Sequence, residues 1–383
     1  MSYKPTILAQ VLNFANRLQF HSKIKDSQND RYVKSINSWK LLVVMIYGHL
    51  SNAVSQRHLI QLLSHEPTKY KHLGISKISR NGLSYALMNR NSNLFKDFFF
   101  DLLGKTELHK GSFGRKAKKY ISMLDATHMP FKGKGSEWAQ SGENRREAKA
   151  HVLMSHDGKP LNMVVTSASI CDIRGARMIN LGKTEVLVMD RGYSSYSFWK
   201  ELENKGITFV TRAKKNMRYR VKSKRRGRKP VGILKDEIIL FENSNNRGQR
   251  MELRRIVVKL KKENIVVLSN DLTTSARSLA DIYKSRWQIE LFFKWIKQNL
   301  KIKRFFGRKR NSVETQLWVA MIVYLLIWMI KKQFKYKGSK TELIRLISMK
   351  LTVNINMANM LSPPNNNTCK ESERVMMLNF SGQ

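Results

Sequence analysis

Apolar residues in the first third of the chain recur every three or four positions. The clearest runs are 39–50 (WKLLVVMIYGHL) and 57–63 (RHLIQLL), the spacing of helices that bury one face. Residues 74–91 (GISKISRNGLSYALMNRN) read as a turn and then a helix capped by Ser79. Arg80, Ser84 and Asn91 are expected to project from that helix. A helical N-terminal DNA-binding domain over 1–112 is expected from these runs. Its pattern fits a helix-turn-helix, and it fits a plain helical bundle equally well.

From residue 118 the period shortens to two. Residues 118–127 (KKYISMLDAT) predict a strand ending near Asp125. Two further strands, 148–156 and 160–169, flank Asp157-Gly158, a strong hairpin turn signal. Residues 185–190 (EVLVMD) form a short continuous apolar run, as in a strand buried on both faces. A helix over 194–204 and a strand over 206–212 come next. Three strands followed by strand–helix–strand is the order of a ribonuclease H-like sheet. The predicted fold is therefore α/β: a ribonuclease H-like mixed sheet with flanking helices, preceded by the α-helical N-terminal domain. Strand-like pieces at 237–241, 252–260 and 264–268 mark a β-rich insertion over 213–270, which splits the core into 113–212 and 271–350. Helical pattern resumes over 278–300. Residues 317–330 are a continuous apolar run of 14, short of the roughly 20 that span a bilayer, and predict a buried core helix. Residues 351–383 read as a loosely ordered tail.

Charge changes the picture. The 383 residues include 71 Lys+Arg and 28 Asp+Glu, a formal charge of +43. A 42% hydrophobic content is enough for a sizeable core and argues against general disorder. A folded chain with this self-repulsion implies a polyanion partner. Nucleic acid is the first candidate and an acidic membrane surface the second. The excess concentrates in 212–230, with eleven basic residues and no acid, and in 294–310, with eight and none. The two cysteines, Cys171 and Cys369, exclude a disulfide scaffold and a cysteine-based zinc site. They read as reduced thiols of a cytoplasmic, nucleoid-associated protein, with Cys171 a small core residue. The N-terminus has no signal-peptide pattern.

In so basic a chain the placement of acids carries information. Asp125 and Asp190 end predicted strands, where ligands of open α/β sheets collect. Like charges placed together need a neutralising cation, and a hard divalent metal with oxygen ligands is the natural one. The bland alternative is that each acid caps a turn or pairs with a Lys or Arg. A third acid, Glu290, lies on the helix DIYKSRWQIELFFKWIKQNL. Tyr283, Arg286, Glu290 and Lys297 share one stripe of it, while Ile289, Phe292 and Ile296 form an apolar stripe that can pack on the sheet. A solvated Arg286–Glu290 pair would explain two of these residues but not the Tyr and Lys in register.

The spacing Tyr–two–Arg–three–Glu–six–Lys resembles the signature of the insertion-sequence-four family of DDE transposases. MDRGYSSYSFWKELENKGITFVTRAKKN resembles that family's block around its second aspartate, and LDATHM its first. The resemblance covers about residues 115–335. It implies a ribonuclease H-like fold with a β-strand insertion between the second Asp and the Glu. It implies Asp125, Asp190 and Glu290 as catalytic ligands of two Mg²⁺, with Mn²⁺ as a substitute. Tyr283, Arg286 and Lys297 become DNA-phosphate contacts, joined by Arg191, Lys294, Lys301 and Arg304 from the flanking basic positions. The implied reaction is cut-and-paste transposition: hydrolysis at each transposon end, hairpin formation, opening, and 3′-OH attack on target DNA. The implied partner is double-stranded DNA, held by a homodimer, with no membrane. A ribonuclease H-like nuclease without strand transfer, or a DNA-binding regulator derived from a transposase, are the rival functions. Hairpin formation also implies an aromatic that holds a flipped base. Tyr219, Phe241 and Trp287 are the candidates, and the sequence does not choose among them.

Smaller features have plainer readings. Residues 226–230 (RGRKP) resemble a minor-groove hook, but a basic loop touching phosphates fits better. His128, His151 and His156 are structural or DNA contacts, since Mg²⁺ rarely takes imidazole. Trp138, Trp287 and Trp295 read as packing residues.

Overall fold

The computed structural model describes residues 5–75, 77–108, 120–143, 145–225, 230–242, 249–260, 263–302 and 304–362. Helices α1 (Ile7–Asn13), α2 (Arg17–Ser27), α3 (Ser38–Leu50), α4 (Gln56–His65), α5 (Arg80–Asn89) and α6 (Ser92–Leu108) come first. The first five start for a local reason. Thr6, Asn16, Asn37, Ser55 and Ser79 each accept a hydrogen bond from a first-turn N–H, satisfying a donor with no partner inside the helix. Ser79 thus caps α5 as its sequence predicts. Asn91 does not project from that helix; it lies past its end and accepts from the Asn93 N–H at 2.9 Å.

Among the described residues the strands form one sheet. They are β1 (Ile121–Phe131), β2 (Arg146–Ser155), β3 (Pro160–Ser167), β4 (Val186–Met189), β5 (Thr208–Arg212), β6 (Tyr219–Lys224), β7 (Ile233–Glu242), β8 (Arg250–Val258) and β9 (Ile265–Ser269). Their spatial order is β3-β2-β1-β4-β5-β9-β8-β7-β6. The first three are antiparallel neighbours, while β1, β4 and β5 run parallel. This is the ribonuclease H-like core. Its parallel connections are α7 (Asp172–Arg177), between β3 and β4, and α8 (Tyr196–Asn204), between β4 and β5. Gly158, at φ +81°, makes the β2–β3 turn that Asp157-Gly158 predicts.

The insertion strands continue the same sheet, because β9 pairs antiparallel with β5. Strand β6 has no counterpart among the sequence expectations. Every residue of it is exposed, and Tyr219 and Val221 are its only apolar residues within a basic run, too few to signal a strand. Its basic side chains suit a sheet edge, where charge discourages pairing with other chains. The hook at 226–230 lies outside the described residues except for Pro230.

The remaining helices are α9 (Ala276–Ser285), α10 (Trp287–Asn299), α11 (Arg310–Gln333), α12 (Lys340–Met349) and α13 (Met357–Leu361). One face of the sheet packs on Phe198, Trp199 and Leu202 of α8. The other packs in a core that includes α10 and α11. Helix α11 contains the long apolar run. By length and composition it could cross a membrane, but 83% of its apolar window is buried inside the protein. It packs against α3, α5, α6 and α12, so the N-terminal helices and the C-terminal ones share a core. The stretch from 351 is not loose throughout. Ile7 and Leu8 donate backbone hydrogen bonds to Val353 and Leu351, and the Gln10 side chain accepts from the Met357 N–H. Residues 363–383, and Cys369 with them, lie outside the described residues. Cys171 is exposed rather than a core residue, because it stands in the turn that enters α7.

Candidate active site

Strand β4 is buried along its whole length, and its parallel register with β1 ends at the pair Leu124–Met189. The next residue on each strand is an aspartate. Asp125 and Asp190 therefore stand side by side, their backbones one strand spacing apart, about 4.8 Å. The sequence reading ended β1 near Asp125, but the strand runs on to Phe131 because β2 stays paired with it beyond the end of β4. Asp125 is thus a mid-strand residue at the last rung of the parallel core. Asp190 begins a tight turn, and its Oδ1 accepts from the Gly192 N–H at 2.6 Å. Thr211 on β5 fixes the same point, donating from Oγ1 to the Asp190 carbonyl at 2.9 Å.

Glu290 arrives from α10. Ile289, Phe292 and Ile296 are buried, which lays the helix on the sheet and turns Glu290 towards β1. The expected single helix is interrupted at Arg286, which ends α9 and caps α10 with αR geometry. Here the Arg286 and Ile289 N–H groups bond three residues back, to Tyr283 and Arg286. The stripe survives this tightening. Arg286 Nη2 donates to Glu290 Oε1 at 2.5 Å, and its Nη1 lies 3.7 Å from Asp125 Oδ2. Its guanidinium sits 5.9 Å from the centre of the Tyr283 ring. One cation therefore bridges two acids from different elements, which a solvated i,i+4 pair would not do.

Burial, with help from the Asp190 and Glu290 charges, pushes the Asp125 carboxyl up to about 6, against the Ala126 N–H and Arg286. Burial also raises Tyr283, so it is a phenol, able to donate a hydrogen bond. Burial works against the charge on Arg286, but the hydrogen bond to Glu290 and the charges around it hold its affinity for a proton above the usual value.

The structure thus joins Asp125, Asp190, Glu290, Arg286 and Tyr283. Arg191 is exposed in the turn after Asp190, and Lys294 is exposed on α10. Lys297 is half-buried in the last turn of α10. Lys301 and Arg304 follow the end of that helix, more than two turns beyond Glu290, and no contact joins them to the acids. Among the described residues, no three acids, histidines or cysteines are already drawn around one cation-sized point. His151 is fully buried, bonds Thr166 at 3.1 Å and is pushed down to about 4 by burial. His128 lies 3.3 Å from Glu147. The His156 backbone N–H bonds to Ile121.

Two of the three tryptophans pack. Trp138 Nε1 donates to the Arg308 carbonyl at 2.9 Å, and Trp295 is edge-on to Tyr324. Trp287 is 59% exposed, against expectation, because it falls on the side of α10 away from the apolar stripe. Of the other stacking candidates, Tyr219 lies under Arg255, and Phe241 packs near Tyr196 and Trp199. The sequence reading missed Lys149, Asp172 and Tyr193, which gather behind the Asp190 turn. The rarity of acids was a signal for Asp172, but its partner lies 23 positions away, a pairing that only the sheet makes.

Two aspartates side by side where the parallel ladder of a ribonuclease H-like sheet ends, with a glutamate from the helix packed over them, define a DDE-type domain. The chain belongs to the transposase DDE domain family, whose model matches residues 116–326. A second family model, described as a domain of unknown function, matches residues 3–76. A Sinorhizobium fredii protein named as the transposase y4zB is 34% identical over 219 residues, 56% of this chain and 61% of its own length. One from Geobacillus stearothermophilus, named as a transposase for insertion sequence element IS5377, is 27% identical over 57% of this chain and 58% of its own. A Synechocystis protein, named as a transposase for element IS4SA, is 28% identical over 64% of this chain and 69% of its own. The chain thus spans less than two thirds of the first two relatives. A solved synaptic complex of piggyBac transposase with hairpin DNA superposes with a TM-score of 0.42 and 12% identity, covering 96% of this chain and 81% of that one.

Proposed function

We propose that this protein is a DNA transposase that cuts its element's ends and joins them to target DNA. The observation that carries the reading is that Asp125 lies within the charge field of Asp190 and Glu290, with the Arg286 guanidinium already bridging Asp125 and Glu290. Three carboxylates in a basic chain are an oxygen-only donor set, which suits Mg²⁺ and, as a substitute, Mn²⁺. Burial holds the Asp125 carboxyl above the usual carboxylate range, and a bound cation would favour its ionised form. Asp125, Asp190 and Glu290 would hold two ions, which supply an activated water and a stabilised leaving oxygen.

The protein's own groups position the strands. Arg286 and Tyr283 offer a cation and a hydroxyl donor to phosphate oxygens beside the acids. Tyr283 needs no role as nucleophile, because phosphodiester transfer requires in-line placement and charge stabilisation rather than a covalent enzyme intermediate. In the first step water attacks phosphorus and the 3′-oxygen leaves as a 3′-OH. That hydroxyl then displaces an oxygen on the opposite strand, closing a hairpin. A second water attacks the hairpin phosphorus and releases the same 3′-OH, which then attacks target phosphorus and displaces the target strand's 3′-oxygen as a new 3′-OH. A homodimer would pair the two ends.

Labelled end DNA incubated with the protein and Mg²⁺ should give nicks and then hairpins on denaturing gels. Nicks without hairpins or joined products would favour a nuclease without strand transfer, and intact DNA would favour a binding regulator. Arg191, Lys294, Lys297, Lys301 and Arg304 are the proposed phosphate contacts flanking the acids. Each neutralised phosphate contributes about −0.9 to the slope of log affinity against log salt. The slope of DNA binding, measured from 50 to 300 mM salt (about the usual range for such titrations), should therefore be steeper than about −4. A flat response would remove these residues from the interface.

A further inference from the structure

Behind the Asp190 turn lies a group that the proposed reaction does not use. Lys149 on β2 is almost fully buried, and its Nζ donates to Asp172 Oδ1 at 2.9 Å and to the Ile170 carbonyl at 3.0 Å. Asp172 opens α7, whose seat is tight. A side chain on Gly175 would start 2.2 Å from the His151 ring, so only glycine lets α7 lie this close to β2. Asp172 is therefore fixed from two sides. Its second oxygen, Oδ2, points at Gly192. A Cβ placed there would be 2.9 Å from Asp190 Oδ1 and 3.6 Å from Asp172 Oδ2, so the two carboxylates converge on the same glycine.

An independent observation comes from Tyr193. Its ring is 1% exposed, and its hydroxyl has no hydrogen-bond partner among the described residues. A buried, unused donor is uncommon and asks for a reason. Burial raises its proton affinity well above the usual value, and the charges that add to this are Asp125, Asp172 and Asp190. Its backbone N–H closes the turn on the Asp190 carbonyl at 3.3 Å, so the unpaired hydroxyl is anchored to the same turn that Asp172 and Asp190 face.

We propose that Asp172 and Tyr193 are positioning residues of the active site: Asp172, held by Lys149, accepts hydrogen bonds from water on a cation bound at Asp190, and the Tyr193 hydroxyl is the donor that locks the aspartates once that cation is present. The proposal rests on the reading of Asp125, Asp190 and Glu290 as the cation site. Mg²⁺ keeps several of its waters, and fixed carboxylates around such waters commonly change metal affinity by about 10- to 100-fold.

The test is Mn²⁺ binding by the full-length, DNA-free protein, followed by electron paramagnetic resonance, with the melting temperature of the metal-free form measured in parallel. Asp172→Asn and Tyr193→Phe should each weaken Mn²⁺ binding about tenfold. The metal-free melting temperature of Tyr193→Phe should be unchanged or higher, because its lost hydroxyl bonds nothing there. A purely structural role predicts the reverse: a lower melting temperature at unchanged Mn²⁺ affinity. Should Asp172→Asn not fold, Tyr193→Phe carries the test alone. Glu290→Gln is the control. If it loses Mn²⁺ while both other variants keep wild-type affinity, this inference fails and the function stands. If Glu290→Gln also keeps wild-type affinity, the assignment of the cation site fails and takes this inference with it.

Discussion

Glu290→Gln is expected to lower end cleavage on the order of 10³-fold, since loss of a metal-holding carboxylate removes several kcal/mol of charge stabilisation. End binding should stay close to wild type. Glutamine keeps the volume of glutamate, and its amide oxygen can still accept from Arg286, which now donates at 2.5 Å. Helix α10 should therefore hold its place, since Ile289, Phe292 and Ile296 fix it to the core. Only the charge is lost, and with it one of the acids that balance Arg286. Cleavage is read on denaturing gels with Mg²⁺, and binding by mobility shift without it. Undiminished cleavage would remove Glu290 from the site. Loss of binding with loss of cleavage would instead make Glu290 a structural partner of Arg286.

Most of the sheet was legible because its strands are apolar and separated by turn residues. The run EVLVMD became β4, buried on both faces, and Asp157-Gly158 became the β2–β3 turn. What was hidden depends on pairing across the chain. Strand β1 outruns Asp125 because β2 supports it, which local periodicity cannot report. Strand β6 is basic at the edge of the sheet, so its pattern resembles that of a loop. The break at Arg286 leaves the helical period intact and shows only in the hydrogen bonds. Asp125, Asp190 and Glu290 could be picked out because acids are scarce and lie on recognisable elements. The cation that Asp125 and Glu290 share, Arg286, was legible only as a helical neighbour of Glu290; its reach to Asp125 needs the packing of α10 on β1. Lys149 and Asp172 could not be joined at all before β2 and α7 were placed side by side.

Asp125→Asn is expected to abolish cleavage and, at the same time, to stabilise the metal-free protein. The folded carboxyl titrates near 6 rather than its ordinary 3.8. Between those values the folded chain holds a proton that the unfolded chain has lost, so stability falls as pH rises through the window and stays low above it. A shift of this size corresponds to about 3 kcal/mol as an upper bound. Asparagine carries no charge and escapes the penalty, while its side-chain oxygen can still face Arg286. Denaturant melts without divalent metal should show the variant more stable than wild type at pH 8. The difference should shrink as pH falls below 6 and vanish near pH 3, where wild-type Asp125 is protonated in the folded chain and largely so in the unfolded one. A variant less stable at pH 8, or a difference that ignores pH, would mean that Asp125 is not held against its own ionisation. The same penalty is what a bound cation would relieve. Mg²⁺ should therefore raise the melting temperature of wild type more than that of Asp125→Asn, because only the wild-type carboxylate has a charge for the cation to neutralise.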